Sequence, residues 1–239
     1  MNSPADEKVK RIGILQPGYL PWLGFFEQIG RVDAFIIYDD VQFDKGGWRN
    51  RNRVKSPNGP AWLTVPVLTK GQGNLNIRDI QISQTERWSS KHIRTIQQYY
   101  SRADYYEYTD ELFQIWESQW EFLIDLDIAI IRWMAEKFGL STQFYLSSDL
   151  NIQGDRIQRL INIIKHLDGN VFYEGAAGKN YIDIQNFREH GIEVEFQDYS
   201  HPVYSQLHGE FISHLSALDL LLNCGPDSRG ILMLEGDVP

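Results

Sequence analysis

The chain has 239 residues, 42% hydrophobic and 23% charged, enough apolar material for a sizeable core and too much for disorder. No apolar run is long enough to span a bilayer, the first eleven residues (MNSPADEKVKR) lack an apolar leader, and the lone Cys224 cannot form an internal disulfide, so a cytoplasmic protein is expected rather than a membrane or secreted one. The formal net charge of −9 argues against a broad nucleic-acid footprint, yet residues 45–78 contain seven cations (Lys45, Arg49, Arg51, Arg53, Lys55, Lys70 and Arg78) and no acid, which predicts a local site for a compact anion such as phosphate.

In chain order, Ile12–Leu15 reads as a buried strand, Gln16-Pro17-Gly18 as a loop, and Leu20, Leu23, Phe26 and Ile29 as the apolar face of a helix. Ala34–Tyr38 and Trp62–Leu68 read as two further buried strands. Between them, Trp48–Val54 alternates. If that segment is extended, Arg49, Arg51 and Arg53 form a cationic comb on one face, with Trp48, Asn50, Asn52 and Val54 on the other. From Trp88 the period becomes helical. Leu112, Trp116, Trp120, Leu123, Leu126, Ile130, Met134 and Phe138 predict one long helix or two abutting ones with a core-facing Trp stripe, opposite an acidic solvated face that holds nine acids between Asp104 and Glu136.

Phe144–Leu146 reads as a strand. Asp155 then caps a helix that Gly169 closes as a left-handed stop, Val171–Tyr173 returns to strand, and Glu174-Gly-Ala-Ala-Gly-Lys179 is a small-residue loop at that strand's carboxyl end. A short helix to His190 and a strand Ile192–Phe196 follow. This alternation predicts a single α/β domain over 1–239 with a mostly parallel sheet, flanking helices in Rossmann-like layers and a helical insertion at about 87–140. Ligands of such folds collect at the carboxyl ends of strands.

The segments LQPGYLPWLGFFEQI, DDVQFDKGGWRNRNRVK, WLTVPV, YEGAAGKNYID and HGIEVEFQDYSHPVYSQLHGEFISHLSALDLLLNCG together resemble the WbqC-like protein family. The resemblance implies a bacterial protein of surface-polysaccharide (O-antigen) assembly. It marks Gln16, Pro17, Asp39, Asp40, Arg49, Asn50, Arg51, Lys179, Tyr181, His201, Tyr204, Gln206 and Cys224 as motif positions here.

Side-chain chemistry suggests roles for these residues and their neighbours. Gln16-Pro17-Gly18-Tyr19 follows the first strand, either as a ligand-positioning loop or as a rigid turn; the His-x-Gly-His pair of nucleotidylyl transfer is missing, since no His precedes His92. Asp39 and Asp40 end a strand and are placed either to hold Mg²⁺ against a diphosphate or to pair with Arg49 and Arg51. The comb Arg49, Arg51 and Arg53 suits bidentate phosphate contact, with Asn50 and Asn52 as polar readers, or else guards an edge strand by charge. Gly175–Lys179 lacks P-loop spacing, but Gly175 and Gly178 would let a substrate approach the backbone and Lys179 would neutralise an oxyanion or phosphate; the alternative is a plain turn. His201, His208 and Cys224 are the base and nucleophile candidates, against the reading of Cys224 as a small buried hydrophobe. Tyr181, Tyr204 and Gln206 complete the substrate-binding candidates.

The function expected from these readings is an acyl or aminoacyl transferase acting on an amino-sugar nucleotide, with an acyl thioester donor and an acyl carrier protein as a further partner. A Mg²⁺-dependent nucleotidylyltransferase or ligase-type enzyme, or a non-catalytic binding protein of the same pathway, stand as alternatives.

Overall fold

The computed structural model describes residues 8–69, 74–85 and 87–234; Lys70 of the cation run and the first seven residues of the polar amino terminus lie outside them. The described residues divide into two compact units: 8–15, 28–38 and 142–199 form the first, and 16–27, 39–69, 74–85, 87–141 and 200–234 the second.

The first unit is built on five strands, β1 (Arg11–Leu15), β2 (Ala34–Ile37), and three that return late in the chain. The second unit contributes β3 (Arg51–Ser56), β4 (Gly59–Thr64), β5 (Val67–Leu68) and β6 (Gln81–Ile82) before the chain re-enters the first with β7 (Gln143–Leu146), β8 (Val171–Glu174) and β9 (Glu193–Phe196). Strands β7-β2-β1-β8-β9 form one sheet, and every neighbouring pair in it is parallel. The fold is α/β. Because a parallel sheet is covered by its crossover helices, β1, β2 and β8 read as the apolar runs seen in the sequence.

In chain order the helices are α1 (Leu23–Gly30), α2 (Trp88–Tyr100), α3 (Thr109–Glu117), α4 (Leu123–Lys137), α5 (Ser147–Leu150), α6 (Arg156–His166), α7 (Ile184–Glu189), α8 (Leu218–Cys224) and α9 (Ser228–Met233). On one face of the sheet, Ile161 and Ile164 of α6 and Phe187 of α7 pack with Ile12, Ile14, Ile36 and Phe172, and the Phe172 and Phe187 rings stack at 5.4 Å. Asp155 caps α6 by accepting from the Gln158 amide at 3.0 Å, as the sequence predicts. The left-handed residue after α6 is Asp168 (φ +54°), one position before the expected Gly169. Gly169 serves packing instead, since a Cβ there would lie 2.4 Å from Ile12.

In the second unit, β3 and β4 form an antiparallel hairpin, and β5 pairs with β6. The run Trp62–Leu68 is therefore two strands rather than one buried strand. Pro66 has no amide hydrogen to continue a ladder, and β4, paired only with β3, leaves Trp62 and Thr64 exposed. The helical stretch is likewise broken. Helix α3 ends at Glu117, Ser118 is extended, and α4 starts at Leu123. Trp116 is fully packed, whereas Trp120 falls in the break, half-buried, donating its indole N–H to the Ile115 carbonyl at 2.7 Å. Asp127 leaves the expected acidic face. It is wholly buried on α4 and neither of its carboxyl oxygens has a hydrogen-bond partner, so burial pushes its pKa well up, against the pull of Arg49. Among the described residues, no helix is long and apolar enough to cross a membrane.

Candidate functional site

The first unit gathers several of the candidate residues at the carboxyl end of its sheet. The chain leaves β1 toward β2 and β7 on one side and returns to β8 and β9 on the other, so the strand order reverses between β1 and β8. Open α/β sheets bind ligands outside the carboxyl ends of the strands at such a reversal. Glu174 is the last residue of β8, only 6% exposed, in register with Phe196 of β9. Its Oε1 accepts the Tyr181 hydroxyl at 2.9 Å. Burial raises the carboxyl pKa to about 7, with the Tyr181 and Gly175 hydrogen bonds opposing the shift. Burial and the same carboxylate push Tyr181, itself half exposed, up to about 12.

The small residues after β8 make this burial possible. They form a 3₁₀ turn over Ala176–Asn180 in which Gly178 lies directly on Glu174; a Cβ on Gly178 would sit 2.3 Å from Glu174 Cγ and 3.1 Å from Phe196. Gly175 faces Gln28, whose amide donates to Gln197 Oε1 at 3.1 Å, and the Gln197 amide donates to the Glu174 carbonyl at 2.8 Å. Lys179 is exposed, with its Nζ 6.0 Å from the centre of the Phe196 ring. Candidates Gly175, Gly178, Lys179 and Tyr181 are thus together, around a carboxyl group not among the sequence candidates. Its sequence signal was its place as the last residue of a strand before small residues, which says nothing about burial.

In the second unit the arginine comb has two teeth in a strand. Arg51 and Arg53 are half-exposed on β3, and Asn52 and Val54 point inward. Arg49 precedes β3 and is committed to its own fold: its Nη1 donates to the carbonyls of Gln16 (3.0 Å) and Pro17 (2.5 Å), and its Nε pairs with Asp44 (3.0 Å). Gln16 thereby serves through its backbone. Tyr19 is fully buried, its hydroxyl 2.9 Å from His92 Nδ1. Asn50 donates to the Val65 carbonyl and Asn52 to that of Leu20, so both amides hold backbone. Lys55, although part of the cation run, is fully buried, with its Nζ donating to the Glu210 carbonyl at 2.5 Å.

The remaining candidates lie in the second unit around the irregular segment 200–216. Both nitrogens of His201 are occupied: Nδ1 donates to the Pro202 carbonyl (2.9 Å) and Nε2 accepts the His214 amide (3.1 Å), an arrangement suited to the neutral ring, and burial lowers its pKa. His208 donates from Nε2 to the Tyr99 carbonyl. Tyr204 and Tyr100 both donate to buried Asp219, at 2.9 and 2.6 Å, and Gln206 makes two bonds to the Ile212 backbone. Cys224 ends α8, half-buried; burial first, then Asp219, Asp227 and Asp104, raise its thiol to about 11. Asp39 is buried, its carbonyl accepting the Arg78 amide, and Asp40 is half-buried. Among the described residues, no three His, Cys, Asp or Glu side chains are grouped as a metal ion would require.

Similarity to known proteins agrees with this picture at the level of ancestry. A family model described as the WbqC-like protein family matches residues 16–231. A Mycobacterium tuberculosis protein described as uncharacterized is 36% identical over 227 residues, which span 94% of this chain and 98% of the relative. No solved structure matches. With the match running through both units and nearly end to end in the relative, the chain belongs to the WbqC-like protein family.

Proposed function

We propose that this protein is a transferase of surface-polysaccharide assembly, acting on a phosphorylated small molecule such as a nucleotide-linked amino sugar and placing an acyl or aminoacyl group on its amine. The observation that carries this reading is Glu174, a buried carboxyl at the end of β8 beside the reversal of strand order. An amine attacking a thioester carbonyl forms the C–N bond and must shed a proton as the C–S bond breaks. A carboxylate titrating near pH 7 is matched to accept that proton. Tyr181 orients Glu174, and the Lys179 ammonium is available to a phosphate or to the oxyanion that develops on the carbonyl. Cys224 needs no role, since a thiol held near 11 is almost wholly protonated at neutral pH.

The test is to mix the protein with nucleotide-linked amino sugars and acyl thioesters and look for N-acylated product by mass spectrometry. Glu174→Gln should lower kcat by about a hundredfold or more, with substrate still bound. It should also remove a limb of the pH profile that rises through about 7. Turnover unchanged in Glu174→Gln would overturn the assignment.

A further inference from the structure

The β3–β4 hairpin carries a surface that the proton-transfer chemistry does not use. Trp48 and Trp62 are 44% and 49% exposed, and their rings stack on each other at 5.4 Å with an interplanar angle of 29°. The Arg51 guanidinium lies 4.6 Å from the Trp62 ring centre, and that of Arg53 lies 5.4 Å from Trp48 and 5.7 Å from Trp62. Register explains the assembly: Arg53 is directly opposite Trp62, so both project from one face of the hairpin. Arg51 donates to the Gly46 carbonyl and Arg53 to that of His214, and among the described residues neither meets a carboxylate. Two uncompensated guanidinium groups beside two exposed indoles sit within a run free of acids, in a chain whose net charge is −9.

We propose that Trp48, Trp62, Arg51 and Arg53 form a binding platform for a nucleoside phosphate, the indoles stacking on the base and the guanidinium groups meeting the phosphates. Aromatic rings offer a base a flat apolar partner, and Arg supplies planar donors matched to phosphate. Inorganic phosphate would use the arginines alone, leaving the indoles exposed to water. A nucleoside phosphate occupies both kinds of group. The proposal draws on the transferase reading only for the class of ligand, and it stands or falls separately from Glu174.

The experiment titrates the full chain with UDP, uridine and inorganic diphosphate, read by calorimetry and by intrinsic tryptophan fluorescence. UDP should bind more tightly than either of the others and quench fluorescence. Trp62→Ala should weaken UDP about tenfold or more, whereas Trp62→Phe should retain most of the affinity while losing part of the quench. Arg51→Gln together with Arg53→Gln should weaken UDP and diphosphate alike, and circular dichroism should show each variant folded. Diphosphate binding as tightly as UDP, or UDP indifferent to Trp62→Ala, would overturn the platform and leave the arginines as a charged guard on the hairpin. Binding that tightens with the length of a single-stranded RNA, or an acidic carrier protein competing where UDP does not bind, would also overturn it. Loss of acyl transfer in Glu174→Gln with UDP binding intact would separate the two proposals.

Discussion

At the scale of single residues, chemistry here is decided by which side chains are already engaged. Arg49 looks like a tooth of a cationic comb when the backbone is taken as extended, but its guanidinium is consumed by the Gln16 and Pro17 carbonyls and Asp44. No alternation rule contains that, because the partners lie 33, 32 and 5 positions away. Glu174 is the converse. It reads as a loop-flanking acid, and only the closing of Gly178 over it and the reach of Tyr181 make it a buried, titratable group. Cys224 yields a clear expectation of its own. With the thiol near 11, alkylation of the folded protein should be slow at pH 7 and accelerate about tenfold per pH unit as the thiolate forms. Cys224→Ala should keep acyl transfer. Labelling at pH 7 as fast as that of free cysteine, or lost turnover in the alanine variant, would restore a nucleophilic role.

At the scale of elements, periodicity located strands and helices well where one force dominates. The parallel strands β1, β2 and β8 are continuous apolar runs because they are covered on their faces, and the cap of α6 follows from Asp155. It left open, between one long helix and two, what depends on interruption. Trp116 and Trp120 keep helical spacing, yet the helix stops between them, and spacing alone does not record a break when apolar positions continue in phase. The two tryptophans should therefore behave differently. Trp116→Ala empties a packed site and should cost about 3 to 5 kcal/mol. Trp120→Ala removes a half-buried ring and one hydrogen bond and should cost clearly less, so that denaturant midpoints fall much further for the first variant than for the second. Equal losses would mean that the ring of Trp120 is as closely packed as that of Trp116.

At the scale of the whole molecule, the buried titratable groups set how stability responds to pH. His92, 4% exposed, is lowered by burial from 6.5 to about 4, while its bond to the Thr64 backbone works in the opposite direction. Between those values the unfolded chain binds more protons than the native one, so this group makes stability rise with pH and loses its contribution as pH falls from about 6.5 toward 4. Glu174 has the opposite sign. Its pKa climbs from 4.5 to about 7 on folding, so the native state binds more protons in that window and stability falls as pH rises through it, by about 3 kcal/mol in all. The windows of the two groups overlap, so their effects largely offset in the wild-type chain between about pH 4.5 and 6.5. Glu174→Gln removes one side of this balance. A neutral amide resembles the protonated acid, so the variant should be close to wild type at pH 4.5 and more stable than wild type by up to about 3 kcal/mol at pH 8, once the native carboxyl has ionised. Urea denaturation of both proteins across this range measures that difference directly, and other buried acids such as Asp127 and Asp219 cancel in the comparison. A stability difference that does not change with pH would mean that Glu174 has the same pKa in the folded and unfolded chain, and with it the group proposed to take the substrate's proton would be no better a base than an exposed carboxylate.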